Sequence, residues 1–136
     1  MAKSSIFIFG EAEKVEFCTP LVLRSLPQLS DTLGNPPENS LGILYSVQAL
    51  LFGRTLIFYR VKEEGFSIPD YLKGLKLLEH TDADLNLSAL CMPGVGDALI
   101  IDAATSVCKL HNSFFIMNER DLYDFLTTSS RYTERT

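Results

Sequence analysis

The stretch Leu90 to Ile101, "LCMPGVGDALII", is an apolar run that breaks on Pro93, Gly94 and Gly96 and then resumes as a second apolar run. Read as strand, bend and helix, it belongs to an α/β scaffold; read as a glycine loop, it belongs to a protein that handles phosphates. Its position suits a phosphate, because ligands of open parallel sheets gather at the carboxyl ends of strands, where a helix N-terminus offers orphan N–H groups. Its residues do not. Gly94-x-Gly96 lacks the third glycine of the dinucleotide fingerprint, and no Lys-Ser/Thr pair follows as in a P-loop. Asp97 puts a carboxylate where the anion would lie, and it reads as the cap or first-turn residue of the next helix. The stretch is therefore read as a structural bend.

Around this bend the chain alternates short β-branched or aromatic runs with segments of helical period. "NLSALCM" (Asn86 to Met92) is the strand before the bend, Asp97 to His111 the helix after it, and "SFFIM" (Ser113 to Met117) a further strand. A last helix runs from about Glu119 to Thr127, leaving residues 129–136 as a frayed tail. Upstream, "DYLKGLKLLE" (Asp70 to Glu79) repeats apolar residues at Leu72, Leu75 and Leu78, with Lys73 and Lys76 on the outer face. "TLIFYRV" (Thr55 to Val61) is apolar enough for a strand covered on both faces. Ser40 reads as the cap of a helix that runs to about Phe52 and stops at Gly53. Its apolar stripe, including Ile43, Leu44, Val47, Leu50 and Leu51, is broad enough to be covered on more than one side or to meet a partner. "NPPEN" is a rigid connector; Ser25 and Gln28 stand as a capping box around Pro27, opening a short helix that ends near Gly34. "SIFIF" (Ser5 to Phe9) and "LVLRS" (Leu21 to Ser25) are the first strands. The order implies one α/β domain over 1–128, three-layered, with a mainly parallel sheet of about five strands and helices on both faces.

The totals agree with a single core: 136 residues, 46% hydrophobic and 21% charged. A formal charge of −5 repels the phosphate backbone, so nucleic acid is not an expected partner. No apolar run reaches the ~20 residues of a membrane span. The first ten residues lack an apolar region fit for a signal peptide, so a cytoplasmic protein is expected, or one assembled into a particle.

Candidate chemistry is sparse. Glu11, Glu13 and Glu16 could converge on a cation, but they read as a solvated loop, and "KEE" at Lys62 to Glu64 as a wet turn. No Gly-x-Ser-x-Gly elbow accompanies the serines, histidines and aspartates. Cys18, Cys91 and Cys108 are widely spaced and read as structural thiols, and His80 and His111 as helix-end cations. No catalytic, cofactor-binding or metal-binding residue is assigned, and no cofactor.

The order of the segments resembles the core of contractile tail sheath proteins of bacteriophages and phage-like injection particles. Gly10, Ala12 and Glu13 match a Gly-x-Ala-Glu loop that follows a strand; Pro20, Ser25 and Gly34 approximate a "P-x-x-V-x-S" strand leading into a short helix that ends in glycine. Phe58-Tyr59-Arg60-Val61 stands at a "Y-x-V-R-V" strand. Gly74, Leu75, Leu78 and Glu79 stand at a "G-L-x-x-L-E" helix, and Pro93-Gly94 at a strand-ending Pro-Gly. The resemblance runs from about Ile6 to Met117. It departs at Val15 and Glu16, where the family has Gly and Pro, and at Gly53, where it has a Gly-Gly pair.

The resemblance implies a subtilisin-like α/β fold without protease chemistry, and a structural role in partnership with a tail sheath, tail tube or baseplate protein. Sheath subunits lace together by lending terminal strands. Here about four residues precede the first strand and about eight follow the last helix, reaching at most ~14 Å and ~28 Å. A monomer or weak oligomer, in the manner of a truncated or accessory sheath, is expected. Two alternatives stand beside it. One is a small enzyme or ligand-binding module at the strand ends near Met92–Asp97 and Gly10–Glu13, with Glu11, Glu13 and Asp97 as acid–base or metal candidates. The other is an acidic regulator that pairs through a sheet edge formed by the first strands.

Overall fold

The computed structural model describes residues 5–80 and 86–135, with 128–135 described by backbone alone. The sheet grows from the alternation in two strands. In β1 (Ser5–Gly10), Ile6 and Ile8 enter one core cluster and Phe7 and Phe9 the other; in β3 (Thr55–Arg60), Leu56 and Phe58 oppose Ile57 and Tyr59 in the same way. Strands buried on both faces require helices on both, because bare apolar faces would stand in water.

The order across the sheet is β2-β3-β1-β4-β5. β1 pairs in parallel with β3 and with β4 (Leu87–Cys91), and β5 (Phe114–Ile116) adds in parallel beyond β4. β2 (Leu21–Leu23) runs antiparallel to β3 at the opposite edge. Of the first two strands, only β2 is an edge. β1 lies at the centre, as its double burial demands, which corrects the expectation that the first strands form an edge together.

α1 (Leu26–Leu33), α2 (Gly42–Leu51) and α5 (Glu119–Arg135) cover the face of Ile6 and Ile8. α3 (Ile68–Glu79) and α4 (Ala98–His111) cover the face of Phe7 and Phe9. The result is a three-layer α/β domain. On the α3 side Tyr71 stacks on Phe9 with ring centroids 5.1 Å apart. Tyr71 thus joins Leu75 and Leu78 in the buried stripe, while Leu72 is only half-buried.

The helix ends separate local signals from distant ones. Ser25 caps α1 by accepting from Gln28 N–H at 3.2 Å, but the Gln28 side chain accepts from Arg24 N–H, one residue short of the reciprocal capping box. Asp97 caps α4, as its position after the bend implies, accepting from Leu99 and Ile100 N–H. Ser40 does not cap α2. The cap position is Leu41, which makes no side-chain bond, and Ser40 Oγ is buried without a hydrogen-bond partner. α5 continues past Thr127 to Arg135, so the segment read as a frayed tail is largely helical; no Gly or Pro interrupts it. Among the described residues no helix is long and apolar enough to cross a membrane.

Candidate functional site

From β1 the chain moves outward to β3 and then crosses back to β4, so the order of the sheet reverses between β1 and β4. In open α/β sheets the crevice outside the carboxyl ends at such a reversal is where ligands bind. Its walls here are the loop after Gly10 and the Met92–Asp97 bend, the two places that the sequence offers as a site.

The crevice is filled by the β3–α3 loop. Glu64 Oε1 accepts from Gly42 N–H at 3.0 Å and from Glu11 N–H at 3.1 Å, while Oε2 accepts from Leu41 N–H at 2.6 Å. The bonding is reciprocal: Glu64 N–H donates to Glu11 Oε2 at 2.8 Å. The carboxylate therefore serves as the anion at the N-terminus of α2, in place of a bound phosphate or a local cap. This corrects the reading of a wet turn at Glu64 alone; Lys62 and Glu63 are exposed, as that reading has them. Burial pushes the Glu64 carboxyl above its usual range; the N–H groups of Leu41, Glu11 and Gly42 pull it back, and the Glu11 charge raises it further.

Two close approaches hold this plug. A Cβ on Gly10 would stand 2.9 Å from Gly42 Cα, so β1 and α2 meet backbone to backbone directly beside Glu64. A Cβ on Gly65 would stand 2.6 Å from Gly94 O, which presses the β3–α3 loop onto the Pro93-Gly94 bend. Gly65 N–H donates to the buried Tyr71 hydroxyl at 2.6 Å. Gly94 takes φ +81° and Gly65 φ +90°, left-handed conformations that glycine adopts without strain. The bend thus contacts protein backbone where a ligand would otherwise lie.

The acidic candidates are dispersed over different tasks. Glu11 faces Glu64; Glu13 accepts from Asn35 N–H at 3.0 Å, fastening the β1–β2 loop to the end of α1; Asp97 caps α4; Glu16 is exposed. Among the described residues no group of three His, Cys, Asp or Glu is placed to hold a metal ion. His111 Nε2 lies 2.8 Å from Leu78 O, tying α4 to α3 at their ends. All three cysteines are free; Cys91 and Cys108 are buried, and Cys18 donates to Asp70 Oδ1 at 3.4 Å.

A second hollow, about 320 Å³, opens beside the plug between Glu11, Glu13, Phe17, Asn35, Arg60 and Lys62. The Arg60 guanidinium lies 3.9 Å above the Phe17 ring, and Nη1 donates to Val15 O at 2.6 Å. Arg60 thereby fastens the β1–β2 loop to the end of β3. Sequence reasoning gave neither Arg60 nor Glu64 a role. No local signal pointed to Glu64, because in the sequence Ser40 stands as the cap of α2, and only the structure moves the cap position to Leu41.

Comparison with protein-family models, with curated proteins and with solved structures finds no match for this chain.

Proposed function

We propose that this chain is a non-catalytic structural or interaction protein, built like the core domain of a contractile tail sheath subunit and packing against a tail sheath, tail tube or baseplate protein. The observation that carries this reading is the filled crevice. Where an α/β binding protein keeps its ligand, this chain lodges its own Glu64 carboxylate and seals it with the Gly65–Gly94 contact.

The resemblance draws support from the residues that carry it. Gly10 makes the backbone contact with Gly42, Ala12 is buried in the core, and Glu13 fastens the loop to Asn35. Val15, which stands where the sheath family has glycine, takes φ +82°, a conformation suited to glycine. The departure in sequence therefore lies at a position whose backbone geometry fits the family's residue.

Reconstitution tests the proposal. The tagged chain is co-expressed with the genes that flank its own, and particles are sedimented. Co-sedimentation with a sheath or tube polymer is expected; a chain left in the supernatant, flanked by no tail gene, would refute the reading.

The hollow beside Glu13 and Arg60 favours a second reading, a ligand-binding module. A thermal-shift panel of nucleotides, phosphate and divalent cations separates the two. A rise in Tm that vanishes in Glu13→Ala supports the module, because only a ligand that prefers the folded state stabilises it.

A further inference from the structure

The hollow beside the plug gathers four charged side chains: Glu11 and Glu13 from the β1–β2 loop, Arg60 from the end of β3 and Lys62 just beyond it. Among the described residues no ion pair joins them. Three are held in place by backbone instead. Glu11 Oε2 accepts from Glu64 N–H at 2.8 Å and Glu13 Oε1 from Asn35 N–H at 3.0 Å, so each carboxylate keeps its other oxygen uncommitted. Arg60 Nη1 donates to Val15 O at 2.6 Å and the guanidinium rests on the Phe17 ring, which leaves Nη2 uncommitted. The exposed Lys62 side chain is the one charge of the four that can swing.

This lining selects a ligand by elimination. Its two carboxylates and two cations cancel. A phosphate or nucleotide would lie against Glu11 and Glu13, and a metal ion against Arg60 and Lys62, each a like-charge contact. An uncharged apolar molecule would strip water from all four charges and return no hydrogen bond. A small molecule that carries both signs meets each group with its opposite. The hollow, at about 320 Å³, stands at the lower end of ligand cavities, which run from ~300 to ~1,000 Å³, so it admits one small molecule. Charges already fixed by backbone lose little freedom when a ligand arrives, which favours binding. Pro36 and Pro37 add an apolar wall beside them.

Resting on the ligand-binding reading of this hollow, we infer that it takes a free α-amino acid with an apolar side chain. The ligand carboxylate accepts from Arg60 Nη2 and Lys62 Nζ, its ammonium donates to the uncommitted oxygens of Glu11 and Glu13, and its side chain lies on the proline wall. Charge-assisted hydrogen bonds at both ends set the orientation. Such binding requires no reaction and leaves the Glu64 plug in place.

The test titrates the full chain with L-leucine, with isopentylamine, which keeps only the ammonium, and with 4-methylpentanoate, which keeps only the carboxylate. Backbone amide shifts give both affinity and location. Leucine is expected to bind with shifts confined to the surroundings of Glu13, Phe17 and Lys62. Each half-molecule is expected to bind about tenfold more weakly or worse, because it leaves one pair of charges without its partner. Lys62→Gln removes an ammonium that nothing in the described fold uses, and Glu13→Gln keeps an oxygen for Asn35 N–H. Each is expected to weaken leucine binding by about tenfold while the fold stands. A half-molecule that binds as tightly as leucine, shifts centred elsewhere, leucine affinity unmoved by both substitutions, or no saturable leucine binding would each overturn the inference. If leucine fails but a nucleotide, phosphate or divalent cation raises Tm and loses that effect in Glu13→Ala, the binding module survives and only its ligand class falls. If nothing in either panel binds, both fall.

Discussion

Glu64 Oε1 and the backbone N–H of Gly42 meet at 3.0 Å across 22 residues of chain, so a loop after β3 supplies the cap of a helix that precedes it. Since Leu41 and Glu11 N–H groups share the same carboxylate, removing it orphans three donors at once. Glu64→Ala is expected to cost about 2–4 kcal/mol, more than the loss of an ordinary N-cap, because the site is half-closed to replacement water. Urea denaturation at neutral pH measures it. A loss below about 1 kcal/mol would mean that water recaps α2 freely.

Glu64 also gives stability a sign with pH. Its folded pKa lies above the ordinary 4.5, chiefly through burial, so folding favours the protonated carboxyl. That contribution is complete below 4.5 and is lost as pH rises through the folded pKa. Relative to Glu64→Gln, which does not titrate, the wild-type chain is expected to lose ground as pH rises from about 4.5. Denaturation midpoints of the two proteins from pH 4 to pH 7.5 give the comparison; a wild-type advantage that grows with pH would contradict the assignment.

What the residues disclosed in advance follows from the range of the interactions involved. Two-faced burial of β3 was legible in "TLIFYRV", because apolar content is local, whereas "SIFIF" marked β1 as a strand without marking it as covered on both faces. Asp97 was legible as a cap because its partners are two and three residues away. Glu64 was not, since its partners are 22, 23 and 53 residues away and nothing in "KEEG" marks a turn that folds inward. The antiparallel setting of β2 and the central place of β1 depend on pairing partners, which period and propensity do not name.

Val15 sits at φ +82°, where a β-branched side chain is strained by about 1–3 kcal/mol. Val15→Gly relieves that strain but gives up a half-buried side chain and frees the unfolded backbone. These effects nearly cancel, so the variant is expected to lie within about 1 kcal/mol of wild type, against the 2 kcal/mol or more that a comparable truncation costs elsewhere in a core. Thermal and urea unfolding both report it. A loss near 3 kcal/mol would show that the loop tolerates valine without strain.

The cysteines differ in access. Burial drives the Cys91 thiol far up and pushes the Cys108 thiol up to about 11, so neither supplies thiolate in the native state. Cys18 is half-exposed. With an aromatic disulfide reagent at pH 8, the folded protein is expected to release about one equivalent of thiolate quickly, from Cys18, and the remainder only on unfolding. Cys18→Ser should abolish the fast phase. A fast phase that persists in Cys18→Ser would place a second thiol within reach of solvent.

Ser40 and Asp97 offer a paired test of where helix caps come from. Both precede an apolar helical run, and by sequence alone each is a capping residue whose loss costs about 1 kcal/mol. In the structure they differ completely. Asp97 accepts from Leu99 N–H at 2.9 Å and Ile100 N–H at 3.3 Å, whereas Ser40 Oγ is buried with no partner, its role at α2 taken by Glu64. An unpartnered buried hydroxyl contributes a desolvation penalty without a compensating bond, so its removal is neutral or stabilising. Ser40→Ala is therefore expected to change stability by less than about 0.5 kcal/mol or to raise it, while Asp97→Ala lowers it by about 1–2 kcal/mol. The double variant Ser40→Ala/Glu64→Ala should be no less stable than Glu64→Ala alone. A Ser40→Ala loss comparable to that of Asp97→Ala would return the cap of α2 to Ser40 and remove the reason for Glu64 to occupy the crevice.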